Sequence, residues 1–268
     1  MFQMRSKKPL VVFILCWAAY AFAYFGRVNI SVALPSIQES YGWNRTSLGM
    51  IGSCFFAFYA LGQLFNGFMG DRLNTKWFVF TGLIFSGILN FLFGFSETIF
   101  LMMIIWSFNG YFQSMLWGPI VRTLSKWIHS SKNNLLAVGM QSSMTAGYLL
   151  SWGFSGKIVV NAGWRWAFWL PGMTIVFFSF IWILSLGKLN KKIVKIDKTK
   201  IDKTEKIPFW KMTASTGLWF VFITCISQGI VKEGINLWGP LLLKETQNLD
   251  LKSTVGYIII IPIISFFG

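Results

Sequence analysis

Long apolar stretches, most of about twenty residues or more, alternate with short polar segments along the chain. A helix rises about 1.5 Å per residue and a membrane core is about 30 Å thick, so such stretches predict membrane-spanning helices. The strands of a β-barrel would alternate apolar and polar residues, so the continuous runs favour an all-α polytopic membrane protein. We predict seven spans, numbered 1 to 7 below, at residues 10–34, 47–69, 77–95, 99–121, 135–160, 167–186 and 213–237.

An eighth apolar run begins near Thr254 and the chain stops at Gly268. A helix of about fifteen residues covers roughly 22 Å, which is shorter than a membrane core. We therefore expect a fragment or a truncated reading frame that ends within its eighth span. The predicted organisation is a six-helix bundle at 1–187, a basic linker at 188–211 and the start of a second bundle at 212–268.

The composition supports a membrane protein. Charged residues make up 12% of the chain and hydrophobic residues 54%, whereas soluble domains carry about 25% charged residues. This excludes cytosolic enzymes and secreted scaffolds, because too little polar surface exists to cover a soluble globule. The net charge of +15 then indicates basic loops at a lipid bilayer rather than a nucleic-acid partner. One histidine and three cysteines in apolar runs indicate no metal site.

The lysines and arginines are unevenly divided between the two sides of the predicted bundle. Seventeen lie before span 1 or in the connections after spans 2, 4 and 6, and five lie toward the other side, at Arg45, Lys157, Arg165, Lys244 and Lys252. By the positive-inside rule, this asymmetry places the N-terminus in the cytoplasm and the spans in the cell membrane. The remaining two cations, Arg27 and Lys232, lie inside spans 1 and 7.

Span 7 repeats the features of span 1. Pro35 follows Arg27 by eight residues, and Pro240 follows Lys232 by eight residues. We expect each proline to end its helix. Both spans run in the same direction, and parallel six-helix repeats are an architecture of secondary transporters. No two glycines lie four residues apart, so the sequence offers no GxxxG dimer motif and leaves the oligomeric state open.

Five spans carry polar residues at helical spacing, which predicts a polar cavity between helices. Ordinary hydrogen bonding between helices is the alternative interpretation. The polar sets are Tyr20, Tyr24, Arg27 and Ser31 in span 1, Tyr59, Gln63 and Asn66 in span 2, Asn109, Gln113 and Trp117 in span 4, Gln141, Thr145 and Tyr148 in span 5, and Gln228, Lys232 and Asn236 in span 7.

The two cations within spans are the strongest candidates for a binding site. A cation in the membrane costs about 2.5–3.5 kcal/mol on insertion scales, which indicates a functional role. We expect Arg27 and Lys232 to bind one small organic anion together, since a guanidinium fork and an ammonium both suit phosphate or carboxylate. The residues expected to contact the rest of the ligand are Tyr20, Tyr24, Gln63, Asn109, Gln113 and Gln141.

Two segments resemble the major facilitator superfamily. The first is Gly67-x-x-x-Asp71-Arg72-x-x-x-Lys76, which is similar to the signature loop between spans 2 and 3 of that superfamily. The second is Gly163-Trp164-Arg165-Trp166-Ala167-Phe168, before span 6. The resemblance implies a major-facilitator fold in which Asp71, Arg72 and Lys76 act in gating.

Within this superfamily the chain most resembles the organophosphate:phosphate antiporters, which include glycerol-3-phosphate and hexose-phosphate transporters. The resemblance rests on Tyr24-Phe25-x-Arg27-x-Asn29 in span 1 and on Asn109-Gly110-x-x-Gln113-x-x-x-Trp117-x-Pro119-x-x-Arg122 in span 4. It implies that Arg27 and Lys232 bind the phosphate of the substrate. It also implies exchange for inorganic phosphate, with no cofactor and no bond chemistry.

The chain departs from this family at four positions: Gln63 replaces a lysine, Met144 a histidine, Lys232 an arginine and Glu233 an aromatic residue. Three functions therefore stay open. The first is exchange of a sugar phosphate or glycerol phosphate for phosphate. The second is proton-coupled transport of a sugar acid or another carboxylate, with Glu233 carrying the proton. The third is a transporter-like sensor or a non-functional remnant. No Walker motif is present, so we do not expect ATP to drive transport.

The predicted orientation can be tested by cysteine labelling in intact cells. Cysteines introduced at Asn44, Glu97 and Asn248 should react with a membrane-impermeant reagent, because the loop charges place these positions outside. Cysteines at Thr75, Ser130 and Thr204 should react only after the cells are opened, and a variant without the three native cysteines gives the background. The opposite pattern would reverse the orientation and the assignment of every loop.

Overall fold

A computed structural model describes residues 8–128, 133–190 and 218–267. The described residues form helices without strands, which confirms the all-α prediction. The helices are α1 (Lys8–Tyr41), α2 (Arg45–Arg72), α3 (Thr75–Phe93), α4 (Ile99–Gln113), α5 (Trp117–Trp127), α6 (Asn133–Leu149), α7 (Gly156–Ala162), α8 (Trp166–Asn190), α9 (Leu218–Thr246), α10 (Leu251–Ile258) and α11 (Ile260–Phe267).

Six described helical segments are long and apolar enough to cross a membrane. They correspond to predicted spans 1, 2, 3, 4, 6 and 7. Span 5 consists of α6 and α7, joined by a π-helical segment at Leu150–Ser155. The eighth apolar run forms α10 and α11. Most of the predicted linker at 188–211 lies outside the described residues.

Two spans predicted as continuous helices are interrupted. Span 4 breaks between α4 and α5 at residues 114–116. Pro119 accounts for this break, because it has no amide hydrogen to continue the helical ladder toward the carbonyl of Met115. The interruption of span 5 is the π segment, in which the buried Trp152 donates a hydrogen bond from its indole nitrogen to the Ser31 hydroxyl at 2.9 Å. A π segment inserts a residue into the helical turn and changes the direction of the side chains around it.

The prediction that Pro35 and Pro240 end their helices is wrong. Helix α1 continues through Pro35 to Tyr41, and α9 continues through Pro240 to Thr246. Both prolines are buried between helices. A proline is tolerated inside a membrane helix when its neighbours compensate for the lost hydrogen bond, which explains the continuation.

Helices α1 and α9 end in the same way, at residues beyond the two prolines. Gly42 follows α1 with a φ of 66°, and Asn248 follows α9 with a φ of 49°. Glycine and asparagine are the residues that most readily adopt this left-handed conformation, which stops a helix. Two residues later Asn44 and Asp250 cap α2 and α10, each accepting a hydrogen bond from the amide of the serine three residues on. The caps make α2 and α10 begin at Arg45 and Leu251, before the predicted starts at Ser47 and near Thr254.

Helix α1 lies at the centre of the bundle, where it contacts α2, α3, α5, α6, α7, α8 and α9. Glycines permit the closest helix crossings, as is usual in membrane proteins. A Cβ atom at Gly110 of α4 would collide with the main-chain carbonyl of Phe55 in α2, and one at Gly147 of α6 would lie 2.7 Å from the carbonyl oxygen of Ala21 in α1. These contacts set the distances between the helices.

The repeat also pairs charges where α1 meets α2, which we call the α1–α2 end. Glu39 of α1 forms an ion pair with Lys244 of α9. Arg45 of α2 forms another with Glu245 of α9, with 2.5 Å between Nη2 and Oε2. Trp238 packs against Gly49 nearby. Helix α9 thus contacts the first bundle at this end, while its first described turns are exposed.

We expect Gly110→Ala to destabilise the bundle, because the clash is with main chain and cannot be relieved by a side-chain rotation. Overpacking of this kind costs about 1–3 kcal/mol. Gly229→Ala in α9 is the matched control, since a Cβ there meets nothing within 4 Å and alanine is the better helix former. Thermal unfolding of both variants in detergent checks this. Equal melting temperatures would show that α2 and α4 are not packed this closely.

Candidate anion-binding site

The Arg27 guanidinium lies in a cage of four aromatic rings. Its central carbon lies 4.4 Å from the ring centroid of Tyr59, 5.1 Å from Tyr24, 5.3 Å from Phe55 and 5.8 Å from Phe56. Tyr24 precedes Arg27 by one turn of α1, and the other three rings are on the facing side of α2. Only 10% of the Arg27 side chain is exposed. Cation–π attraction therefore replaces part of the hydration that this charge loses.

Glu233 of α9 supplies the opposite charge. Its Oε1 lies 3.8 Å from Nη2 of Arg27, and its side chain is 25% exposed. The separation is short enough for charge attraction and too long for a direct hydrogen bond. Attraction between charges is stronger here than in water, because the aromatic cage lowers the local dielectric constant. This pair links the first bundle to α9 well away from the α1–α2 end.

Lys232 faces a different part of the molecule. It lines a cavity of about 410 Å³ between α6, α9 and α11. The structure shows no ion-pair partner for its ammonium group anywhere in residues 8–128, 133–190 and 218–267. The polar residues that line this cavity are Gln141, Thr145, Tyr148, Gln228, Lys232, Asn236 and Ser265.

The structure does not bring Arg27 and Lys232 into one cavity. Arg27 lines a cavity of about 20 Å³, room for one water molecule, and a wide opening of about 900 Å³ between α2 and α9. Lys232 and Glu233 are consecutive, so they project about 100° apart around α9, and it is Glu233 that faces Arg27. The predicted joint binding of one anion is thus not seen in this conformation.

Tyr148 and Asn236 form the partition between the two cations. The Asn236 amide donates a 2.6 Å hydrogen bond to the Tyr148 hydroxyl. Asn236 lines both the small cavity beside Arg27 and the larger one beside Lys232. The Tyr148 ring lies 5.5 Å from that of Tyr24, which itself borders Arg27. Asn236 therefore borders the cavities of both cations.

Asn109 and Gln113 occupy a buried hydrogen-bond network rather than a cavity wall. Both donate to the carbonyl oxygen of Gly26 at 3.3 Å, and Asn90 donates to the same oxygen at 2.9 Å. The Ser86 hydroxyl donates to Asn109 at 2.6 Å and accepts from Gln113 at 3.1 Å. The network fixes α1 at the residue before Arg27. Substrate contact by Asn109 and Gln113 stays a prediction, and the structure gives both a structural role.

The other expected ligand contacts are divided between the site and the surrounding helices. Gln141 lines the cavity beside Lys232. Tyr20 is buried, with its ring 5.2 Å from Tyr24 and 4.8 Å from Trp117. Gln63 lines a separate cavity of about 380 Å³ between α2, α5 and Ser114. The sequence patterns did not identify Phe55 and Phe56 as site residues, because aromatic residues in an apolar run also occur at positions that face lipid.

The residues expected to act in gating lie near the opposite end of the bundle from the α1–α2 end. Arg72 is exposed in the last turn of α2. The Lys76 ammonium lies 5.4 Å from the ring centroid of Trp77, and its carbonyl accepts a hydrogen bond from Trp182 at 3.0 Å. The Asp71 side chain lies outside the described residues. The gating role stays a prediction.

Residues 16–268 match the sequence profile of the Major Facilitator Superfamily. The chain is 29% identical to the "Probable hexose phosphate transport protein" of Chlamydia muridarum, over 88% of this chain and 57% of that protein. It is 25% identical to the "Membrane sensor protein UhpC" of Escherichia coli K12, over 96% of this chain and 62% of that protein. The chain thus spans less than two thirds of the length of these relatives.

The fold is similar to the crystal structure of a bacterial homologue of the human lysosomal transporter Spinster, solved in an inward-facing and unoccupied conformation. The TM-score is 0.82 with 14% sequence identity, over 97% of this chain and 60% of that one. The similarity confirms the predicted major-facilitator fold.

Gln113 and Gln141 form a matched pair for separating structural from ligand-binding residues. Gln113→Ala should lower the melting temperature in detergent by a few degrees, because it leaves buried hydrogen-bond partners unpaired at a cost of about 1–3 kcal/mol. Gln141→Ala should leave it unchanged, since Gln141 is exposed to its cavity. Equal effects of the two substitutions would remove the structural role that we assign to Gln113.

Proposed function

Because the chain belongs to the Major Facilitator Superfamily, we propose that it forms part of a secondary transporter for a phosphorylated organic anion. The substrate is a hexose phosphate or glycerol phosphate, exchanged for inorganic phosphate across the cell membrane. The N-terminus lies in the cytoplasm, and the two halves rock about a site between α1 and α9. No bond is made or broken, so the proposal includes no catalytic residue and no cofactor.

The observation that carries this proposal is the ammonium of Lys232, which has no ion-pair partner among the described residues and lines a polar cavity. A volume of about 410 Å³ lies within the range of small-molecule sites. The ammonium supplies a point charge for a phosphate group, and the amides and hydroxyls of Gln141, Thr145 and Gln228 suit the hydroxyl groups of a sugar or glycerol. The printed name of the Chlamydia relative supports the same substrate class.

Arg27 supplies the second charge when the halves move. It occupies the position in α1 that Lys232 occupies in α9, and Asn236 lines the cavities beside both cations. An anion that reached both cations would lower the cost of bringing them together as the cleft closes. Substrate would in this way promote the conformational change that carries it.

A sensor is the second candidate function, favoured by the similarity of 96% of this chain to UhpC. A sensor needs the same binding site as a transporter, but it does not need to release ligand on the other side. Ligand binding without uptake therefore distinguishes this candidate from the first.

We expect Arg27→Ala and Lys232→Ala each to reduce uptake of labelled sugar phosphate at least tenfold, because each removes one charge from the anion site. Lys232→Arg should retain part of the activity, since it keeps the charge. Lys157→Ala, an exposed lysine beside a different cavity, is the control and should transport normally. The measurement is uptake by proteoliposomes that contain the product of the complete gene and are preloaded with phosphate.

Three results would contradict the proposal. Normal uptake by Arg27→Ala would show that this cation does not serve the substrate. Uptake that requires a pH gradient and ignores internal phosphate would support the proton-coupled carboxylate transporter. Binding of sugar phosphate without any uptake would support the sensor.

A further inference from the structure

The candidate site contains two cations, but its net charge is lower than +2. Among the residues that the structure describes, four charged ones line the cavities beside Arg27 and Lys232: Arg27, Arg45, Lys232 and Glu233. Arg45 is at the α1–α2 end, where it pairs with Glu245. The charges that remain are two cations and the Glu233 carboxylate, a net charge of +1.

Glu233 lies beside Arg27, in the position that an anionic ligand would take. Its carboxylate lies 3.8 Å from the guanidinium, and the aromatic cage of α1 and α2 encloses the other faces of Arg27. Arg27 and Glu233 line the same opening between α2 and α9, so a second anion that approaches Arg27 through it meets the Glu233 carboxylate. Lys232 is the cation that stays available in the polar cavity.

We propose that Glu233 makes the site selective for singly charged anions. This rests on the proposed function and specifies the charge of its substrate. A singly charged anion brings the site to neutrality, whereas a doubly charged anion leaves an excess negative charge beside the Glu233 carboxylate. This excess is costly beside Arg27 and Glu233, because their side chains are only 10% and 25% exposed. The transported species is then the monoanion of a phosphate ester, or an anion with a single permanent charge.

A phosphate monoester makes this selectivity measurable, because its own charge changes near neutral pH. The second pKa is about 6, so the monoanion is the main species at pH 5.5 and a minor one at pH 7.5. If only the monoanion binds, the KM for total monoester should increase about 20-fold between these two values. The other titratable groups around Arg27 and Glu233 are Lys232, the Cys225 thiol and four tyrosines: Tyr20, Tyr24, Tyr59 and Tyr148.

The experiment compares a hexose phosphate with its methyl diester, which carries one negative charge at both pH values. Uptake is measured in phosphate-loaded proteoliposomes containing the product of the complete gene, with equal pH on both sides. The KM of the monoester should increase about 20-fold from pH 5.5 to pH 7.5, and that of the diester should stay constant. This comparison in the wild-type protein needs no variant to fold.

Glu233→Gln should abolish the pH dependence, because the site then carries two positive charges and accepts the dianion. Its KM for the monoester at pH 7.5 should fall at least tenfold relative to wild type. Glu233→Asp should keep the wild-type dependence. Glu97→Gln is the matched control, since the Glu97 carboxylate also lies beside an arginine, 3.9 Å from Arg165, but is largely exposed; it should behave as wild type.

Two results would overturn the inference while leaving the proposed function in place. One is a wild-type KM for the monoester that is equal at both pH values. The other is a Glu233→Gln variant that is transport-competent and keeps the 20-fold increase. Absence of uptake of either ester at both pH values would contradict the proposed function itself, and the charge selectivity with it.

Discussion

A guanidinium group held inside an apolar bundle is the constraint on which the rest of this structure depends. Placing Arg27 among membrane helices is costly unless other groups replace the water around it. The chain meets this requirement from three helices. Tyr24 of α1 and the Phe55, Phe56 and Tyr59 rings of α2 contact the cation, and α9 contributes the Glu233 carboxylate. Arg27 therefore links the first bundle to α9.

The neighbouring parts of the fold position this group. The Gly26 carbonyl accepts hydrogen bonds from side chains of α3 and α4. These bonds fix the rotation of α1 at the residue before Arg27. On the other side, the repeat between α1 and α9 aligns their ends, where Glu39 and Lys244 form an ion pair. The same repeat relates Arg27 to Lys232, yet the two cations lie in different cavities because α9 turns Glu233 toward Arg27.

The membrane makes the fold predictable from the sequence, since every span must be apolar over a fixed length. Six predicted spans coincide with helical segments that are long and apolar enough to cross a membrane, and the family resemblance is confirmed. The ends of α1 and α9 were not predictable from Pro35 and Pro240. What stops these helices is the left-handed conformation of Gly42 and Asn248, and burial allows the prolines to stay within them.

The charged residues of the candidate site could be predicted from the sequence, but the arrangement of its side chains could not. Arg27 and Lys232 stand out as cations in apolar spans. Residue type does not separate Gln113, which is buried in the network, from Gln141, which lines a cavity. That difference depends on the rotation of each helix against its neighbours, which a single sequence does not define.

The pairing of Arg27 with Glu233 is the central claim, and a double-mutant cycle tests it most directly. Melting temperatures are measured in detergent for Arg27→Gln, Glu233→Gln and the double variant. The account predicts that removing Glu233 costs less stability when Arg27 is already absent, with a coupling energy of at least about 1 kcal/mol. Additive effects of the two substitutions would show that these charges do not interact and would contradict the account.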